Sequence, residues 1–166
     1  SSRAINNVDG TSSWNEIRKN LISANFSGIT IDSNDSVSGV SGDIIIAGNY
    51  IGTNRTGTAA LANTDEGIRL DSVTAGVTIG GTSAADRNVI SGNGEEGIQL
   101  VNSSNIDVLG NYIGLDDTGL SEIPNVDAGL LATDVNGLNV GNGTSAGRNV
   151  LGGNGLFVFQ VTGTSS

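Results

Sequence analysis

Two stretches of this chain occur twice. Gly48-Asn49-Tyr50-Ile51-Gly52 returns as Gly110-Asn111-Tyr112-Ile113-Gly114, and Arg87-Asn88-Val89-Ile90-Ser91-Gly92-Asn93-Gly94 returns as Arg148-Asn149-Val150-Leu151-Gly152-Gly153-Asn154-Gly155. The first pair is offset by 62 positions and the second by 61, so one residue has been lost between them. Self-similarity of this kind marks a chain built by stacking like units, each too small to bury its own apolar face.

A shorter period lies inside the repeat. Asn-apolar-Ile starts at Asn20, Asn49, Asn88, Asn111 and Asn149, the last with Leu for Ile. Each start is followed by Gly-Ile-x-Leu or a relative, as in Gly28-Ile29, Gly67-Ile68, Gly97-Ile98 and Gly129-Leu130. A third apolar element closes the unit at Ile44-Ile45-Ile46, Val77-Thr78-Ile79, Ile106-Asp107-Val108 and Leu138-Asn139-Val140. These read as short strands with period-2 alternation between Gly, Asn, Ser and Asp turns. None could hold a sheet alone. Stacked in register, each would pair with its neighbours above and below at about 4.8 Å. The pattern predicts an all-β parallel solenoid of about five coils over residues 20–166. The spare residues of the longer units fall at Thr53 to Asp65 with Leu115 to Asp127, and at Gly80 to Arg87 with Gly141 to Arg148. Each pair occupies one point of the coil, so it should bulge from one face.

Residues 1–19 stand outside the pattern as an N-terminal segment. Ser13-Trp14-Asn15-Glu16 has the Ser-x-x-Glu form of a capping box, with Trp14, Ile17 and Leu21 at helical spacing. A short helix closing the open end of the stack is predicted there, shielding its edge strands. At the other end, Leu156 to Val161 is an apolar run that reads as a closing strand or as a face where a longer solenoid continues. No signal peptide is visible, so the chain reads as a mature or excised segment.

The runs Gly-Asn-Tyr-Ile-Gly-Thr, Val-Thr-Ile-Gly-Gly-Thr and Arg-Asn-Val-Ile-Ser-Gly-Asn resemble the right-handed parallel β-helix repeats of large secreted and surface-anchored bacterial proteins, within the pectate-lyase-like superfamily. The likeness covers residues 20 to 161. It implies a right-handed coil and a secreted or cell-surface location. It leaves function open among polysaccharide lyases, hydrolases and epimerases, adhesins and passive stalks.

Composition narrows the chemistry. With no Cys and no His, thiolate and imidazole metal sites and Ser-His or Cys-His nucleophiles are excluded. A net charge of −10 argues against nucleic acid as a partner, and no apolar run is long enough to insert in a bilayer. Aromatics at 4% imply a core of thin aliphatic layers. The series Asn20, Asn49, Asn88, Asn111 and Asn149 shares the face of an Ile or Leu two residues on, and so reads as an interior ladder of stacked amides. The residues between, Leu21, Tyr50, Val89, Tyr112 and Val150, form an apolar strip on the other face. Tyr50 and Tyr112 could present rings to a sugar, or the inserted loops could fold over the strip and bury it.

Asp65, Glu95 and Asp127 each stand two residues before the Gly of Gly-Ile-x-Leu and should rise in a column. Like charges that close raise one another's pKa or recruit a cation, for which calcium is the candidate. The same three acids with Arg87 are the catalytic set if the chain is a polysaccharide-active enzyme. Arg87 and Arg148 occupy equivalent positions, however, and a role that repeats points to structure. The leading expectation is a non-catalytic structural or adhesive segment. A polysaccharide-active enzyme and a protein stacking end to end with neighbouring copies are the alternatives, with carbohydrate or further copies as partners.

Overall fold

The computed structural model describes residues 3–6, 14–32 and 43–163 of the chain. Its strands wind into a parallel β-solenoid of five coils with three faces. Sheet A stacks β1 (Arg3–Asn6), β4 (Ser27–Asp32), β7 (Ile68–Asp71), β10 (Ile98–Val101), β13 (Leu130–Thr133) and β16 (Phe159–Thr162). Sheet B stacks β2 (Trp14–Arg18), β5 (Asp43–Ala47), β8 (Val77–Gly80), β11 (Ser104–Leu109) and β14 (Asn136–Val140). Sheet C stacks the two-residue strands β3 (Leu21–Ile22), β6 (Tyr50–Ile51), β9 (Val89–Ile90), β12 (Tyr112–Ile113) and β15 (Val150–Leu151). Each coil runs B, C, A, and every pairing between neighbouring coils is parallel.

Register places like on like. Ile29, Ile68, Ile98 and Leu130 form one inward column, Ile31, Leu70, Leu100 and Ala132 the next, and all eight are fully buried. Ile51, Ile90 and Ile113 do the same on sheet C. β-branched side chains, stiff at χ1, suit such columns because each presents the same shape to the coil above and the coil below. No helix of the described residues is long and apolar enough to cross a membrane.

No capping helix lies among the described residues. Trp14–Arg18 is β2, paired in register with β5 as Ile17↔Ile46 and Arg18↔Ala47. The Ser-x-x-Glu signal is local, whereas β5 offers a complete strand edge, and the strand wins because it places Ile17 in the sheet B core column. Residues 7–13, including Ser13, lie outside the described residues.

Two asparagine ladders run the length of the stack at the corners flanking sheet C. The first is the predicted series. The Asn49 Nδ2 donates to Asn88 Oδ1 at 3.0 Å, that of Asn88 to Asn111 at 2.9 Å, and that of Asn111 to Asn149 at 3.1 Å. Each amide also donates to a carbonyl of its own corner, as Asn88 does to Ile46 at 2.8 Å. The second ladder, Asn25, Asn63, Asn93, Asn125 and Asn154, repeats this geometry at the corner leading into sheet A. It explains the Gly of Gly-Ile-x-Leu. A Cβ at Gly67 would stand 2.7 Å from the Gly97 carbonyl oxygen, 2.8 Å from Asn93 Nδ2 and 2.9 Å from Ile90 Cγ2, and Gly97 has the same surroundings one coil on. The glycines let the ladder close.

The inserted loops emerge where expected. Residues 53–65 and 115–127 sit at the corner from sheet C to sheet A, and each is pinned by one antiparallel bridge, Thr53↔Ala60 and Leu115↔Glu122. Residues 80–87 and 141–148 sit at the corner from sheet B to sheet C. The loops bond to the coils on either side of them: Ala24 N–H donates to Leu61 O, Gly94 N–H to Asn63 O, Gly48 N–H to Asp86 O, and Asp117 N–H of one loop to Gly57 O of the other.

Candidate functional site

The second ladder positions the acids. Asn63 and Asn93 fix the corner, and the chain leaves it through Asp65-Glu66 and Glu95-Glu96 into the glycine column. Backbone bonds Asp65 N–H to Phe26 O (2.7 Å), Glu95 N–H to Asp65 O (3.3 Å) and Asp127 N–H to Glu95 O (3.2 Å) stack Asp65, Glu95 and Asp127 as the register mark requires. One residue inward, Ser27, Glu66, Glu96 and Ala128 form a parallel column, tied by Gly28 N–H to Glu66 O and Gly67 N–H to Glu96 O.

The side chains group differently from the backbone column. One carboxylate oxygen each from Asp65, Glu66 and Glu95 lies within 4.8 Å of the others. Asp127 is outside that group, and its charge acts instead on Glu96. Glu66 is buried and held by Arg69, whose Nη1 stands 3.2 Å from Oε1, and by the Ser27 hydroxyl at 3.3 Å. The Arg69 guanidinium also bonds Asp71 at 2.8 Å and Gln99 Oε1. Its charge is spent on three neighbours.

Glu95 makes no ion pair with the Arg69 guanidinium, and it is pushed up to about 7. Loss of solvent on its inner side is the largest cause, followed by the Asp65 charge, a bond to Asp65 and the charges of Glu66 and Glu96. Glu96 is raised too, first by burial and then by Asp127 and Glu66, against a 3.3 Å bond from Gln99 Nε2. A carboxyl that keeps its proton near neutrality in a cluster of acids is arranged to lend that proton or to exchange it for a cation.

No protein-family model, curated protein or solved structure matches this chain. Arg87 belongs to the other end of sheet C from the acids. Its Nε donates to Gly110 O at 3.0 Å, and its guanidinium carbon lies 4.1 Å from the centre of the Tyr112 ring. Asp86 pairs with Arg18 across the coils at 2.8 Å. Arg148 is exposed at the C-terminal end, on the wall of an open cavity of about 430 Å³ shared with Asn149 and Leu151. The structure thus brings Asp65 and Glu95 together and leaves Arg87 apart.

Tyr50 and Tyr112 are half-buried under the inserted loops. Gly57 lies on the Tyr50 ring, and a Cβ at Gly119 would come within 2.6 Å of Tyr112 Cζ. With Arg87 also stacked on it, Tyr112 is packed by the chain itself, while Tyr50, Arg87, Val89 and Asp117 share a small groove of about 220 Å³.

Glu66 and Arg69 escape a reading based on one acid per coil. The usable signal is the doubled acid before Gly-Ile, Asp65-Glu66 and then Glu95-Glu96, broken at Asp127-Ala128. Asn63, Asn93 and Asn125 escape because insertions shift them. Asn20 to Asn25, Asn88 to Asn93 and Asn149 to Asn154 are each five apart, whereas Asn49 to Asn63 and Asn111 to Asn125 are fourteen apart.

Proposed function

We propose that the chain is a non-catalytic structural or adhesive segment of a secreted or cell-surface bacterial protein, of the right-handed parallel β-helix kind that its repeats resemble. One observation carries this reading: both ladders pass through all five coils without a break, so every coil is tied to the next at two corners as well as along three sheets. A polar element repeated identically in each coil supports stiffness, whereas a catalytic centre needs a cluster found once. Supporting it further, the arginine beside the acids, Arg69, is committed to Glu66, Asp71 and Gln99, and Arg87, away from them, to Gly110 and Tyr112. The net charge of −10 suits a soluble surface, and carbohydrate or a further copy of the chain is the partner class it serves. The test is a panel of acidic and neutral polysaccharides assayed for new reducing ends and unsaturated products. No turnover is expected. Turnover that vanishes in Asp127→Ala or Glu95→Gln would replace this reading.

A second reading rests on the acidic corner. Two carboxylates in near contact, one holding its proton to about 7, are what glycoside or uronide chemistry uses, and they are equally what a calcium ion with several oxygen ligands requires. Asp65, Glu66 and Glu95 would be the ligands of such an ion.

A further inference from the structure

Sheet C carries a groove at the middle of the stack, where loops from its two corners meet. Val89 stands in register between Tyr50 and Tyr112, so a small side chain is flanked by two rings and the outer face sinks there. From one corner the loop at 80–87 brings Ala84, Ala85 and Arg87 to the groove. From the other, the loop at 115–127 brings Asp117, whose backbone N–H donates to Gly57 O at 3.0 Å. The space enclosed is about 220 Å³, and the buried Val89 lies on its wall between the rings.

This groove is lined by a cation and an anion that do not pair. Arg87 is fixed from two sides: its Nε donates to Gly110 O at 3.0 Å, and its guanidinium carbon lies 4.1 Å from the centre of the Tyr112 ring. Its Nη1 and Nη2 donate to no group among the described residues. The exposed Asp117 carboxylate has neither a hydrogen bond nor an ion pair among them. Its neighbour Asp116, by contrast, is tied into the loop by Thr118, Leu120 and Ser121. Opposite charges on one small space would close on each other if both were free to move. Here each residue is anchored through other atoms, which leaves a forked donor edge and a carboxylate for a molecule between them.

A ligand here must answer both charges and the apolar wall. A simple anion would meet Asp117, and a simple cation would meet Arg87. A sugar would lack its aromatic platform, since Gly57 packs on the Tyr50 ring, and Gly119 and Arg87 pack on that of Tyr112. An α-amino acid carries a carboxylate and an ammonium on one carbon, with its side chain directed away from both. We propose that this groove binds a small aliphatic α-amino acid, its carboxylate on Arg87, its ammonium on Asp117 and its side chain against Val89, Ala84 and Ala85. The site is separate from the acidic corner and goes beyond the spacer reading without depending on it. Charge-assisted bonds at both ends select the zwitterion, and the small volume sets the size of the side chain.

An amide chemical-shift titration of the isotopically labelled full chain tests the proposal. The probes are L-valine, isovalerate, which lacks the ammonium, and isobutylamine, which lacks the carboxylate. L-Valine at millimolar concentration should move the amides of Ala84, Ala85 and Asp117, and each analogue should bind at least about 10-fold more weakly for want of one charge-assisted bond. Asp117→Asn and Arg87→Gln should each weaken L-valine by a similar factor. Asp117→Asn changes an exposed side chain without a partner, so the fold stands, and that variant decides the matter if Arg87→Gln disturbs the packing on Tyr112. No shift with L-valine, equal binding of either analogue, or undiminished binding by Asp117→Asn would overturn the proposal. Glucose moving the same amides where L-valine does not would overturn it as well, and would assign the groove to carbohydrate.

Discussion

Asn88 takes part in five hydrogen bonds, four of them through its side chain. Its Oδ1 accepts from the Asn49 backbone N–H and side-chain amide, its Nδ2 gives to Ile46 O and Asn111 Oδ1, and its backbone N–H gives to Asn111 Oδ1. Asn88→Leu would strand the Asn49 donors and the Ile46 carbonyl in a fully buried corner. At about 1–3 kcal/mol for each buried group left unsatisfied, the loss is at least about 3 kcal/mol, read from the urea midpoint. Glu95 acts through protons. Its folded value is raised from 4.5 to about 7, so the folded chain holds that proton more tightly than the unfolded chain. The penalty is absent below about pH 4.5 and complete above about pH 7, and the thermal midpoint should fall across that window as pH rises. Asp86, lowered by Ser83 and Arg18, works in the opposite sense and loses its contribution as pH falls. The difference between the parent and Glu95→Gln therefore isolates the effect. Parallel curves would show that the Glu95 carboxyl is not raised by folding.

At the scale of elements, β2 carries a polar side chain that its place does not satisfy. Asn15 is in register with Ile44, a core position, and its Nδ2 is buried with no hydrogen-bond partner. Asn15→Val would replace an unsatisfied amide with the residue type that fills the equivalent Val77 position in sheet B, a gain of about 1–2 kcal/mol by thermal denaturation. A loss of stability would mean that the amide has a partner in solution. The turns show the same economy of position. Ala24, Gly92 and Gly153 occupy one point of successive short corners, all with positive φ (61°, 74° and 69°), and Ala24 alone bears the strain of a Cβ there. Asp116 closes its loop by accepting from the Thr118 hydroxyl and from the Leu120 and Ser121 N–H groups, which holds its carboxyl down to about 2. The matching loop uses Asn54 Oδ1 on the Thr58 N–H, the same device with a neutral acceptor.

For the molecule as a whole, the decisive quantity is an unbalanced charge of −10 with its densest part at one corner of sheet A. Monovalent salt should raise stability modestly by screening that repulsion. If Asp65, Glu66 and Glu95 bind an ion together, calcium should raise the thermal midpoint more than sodium does at equal ionic strength, and Glu66→Gln should remove the excess. Equal shifts with the two salts would reduce the corner to diffuse electrostatics. The stack itself should unfold as nearest-neighbour coils coupled through the ladders, so Asn88→Leu in the middle coil should broaden the transition as well as lower it.

The tandem period by itself determined the architecture, the first ladder and the sites of the inserted loops. Asparagine and isoleucine keep a constant phase wherever a coil is short, and a parallel stack preserves phase. Tertiary structure decided the rest. The second ladder is hidden in the sequence because the insertions change its spacing while leaving its height in the stack untouched. Glu66 joins Asp65 and Glu95 because side chains meet across coils, where the sequence shows only neighbours along the chain. Trp14–Arg18 became a strand because a waiting sheet edge outweighs a local helix signal. Neighbours one coil apart are separated by 23 to 39 residues along the first ladder, and no local pattern carries contacts over that distance.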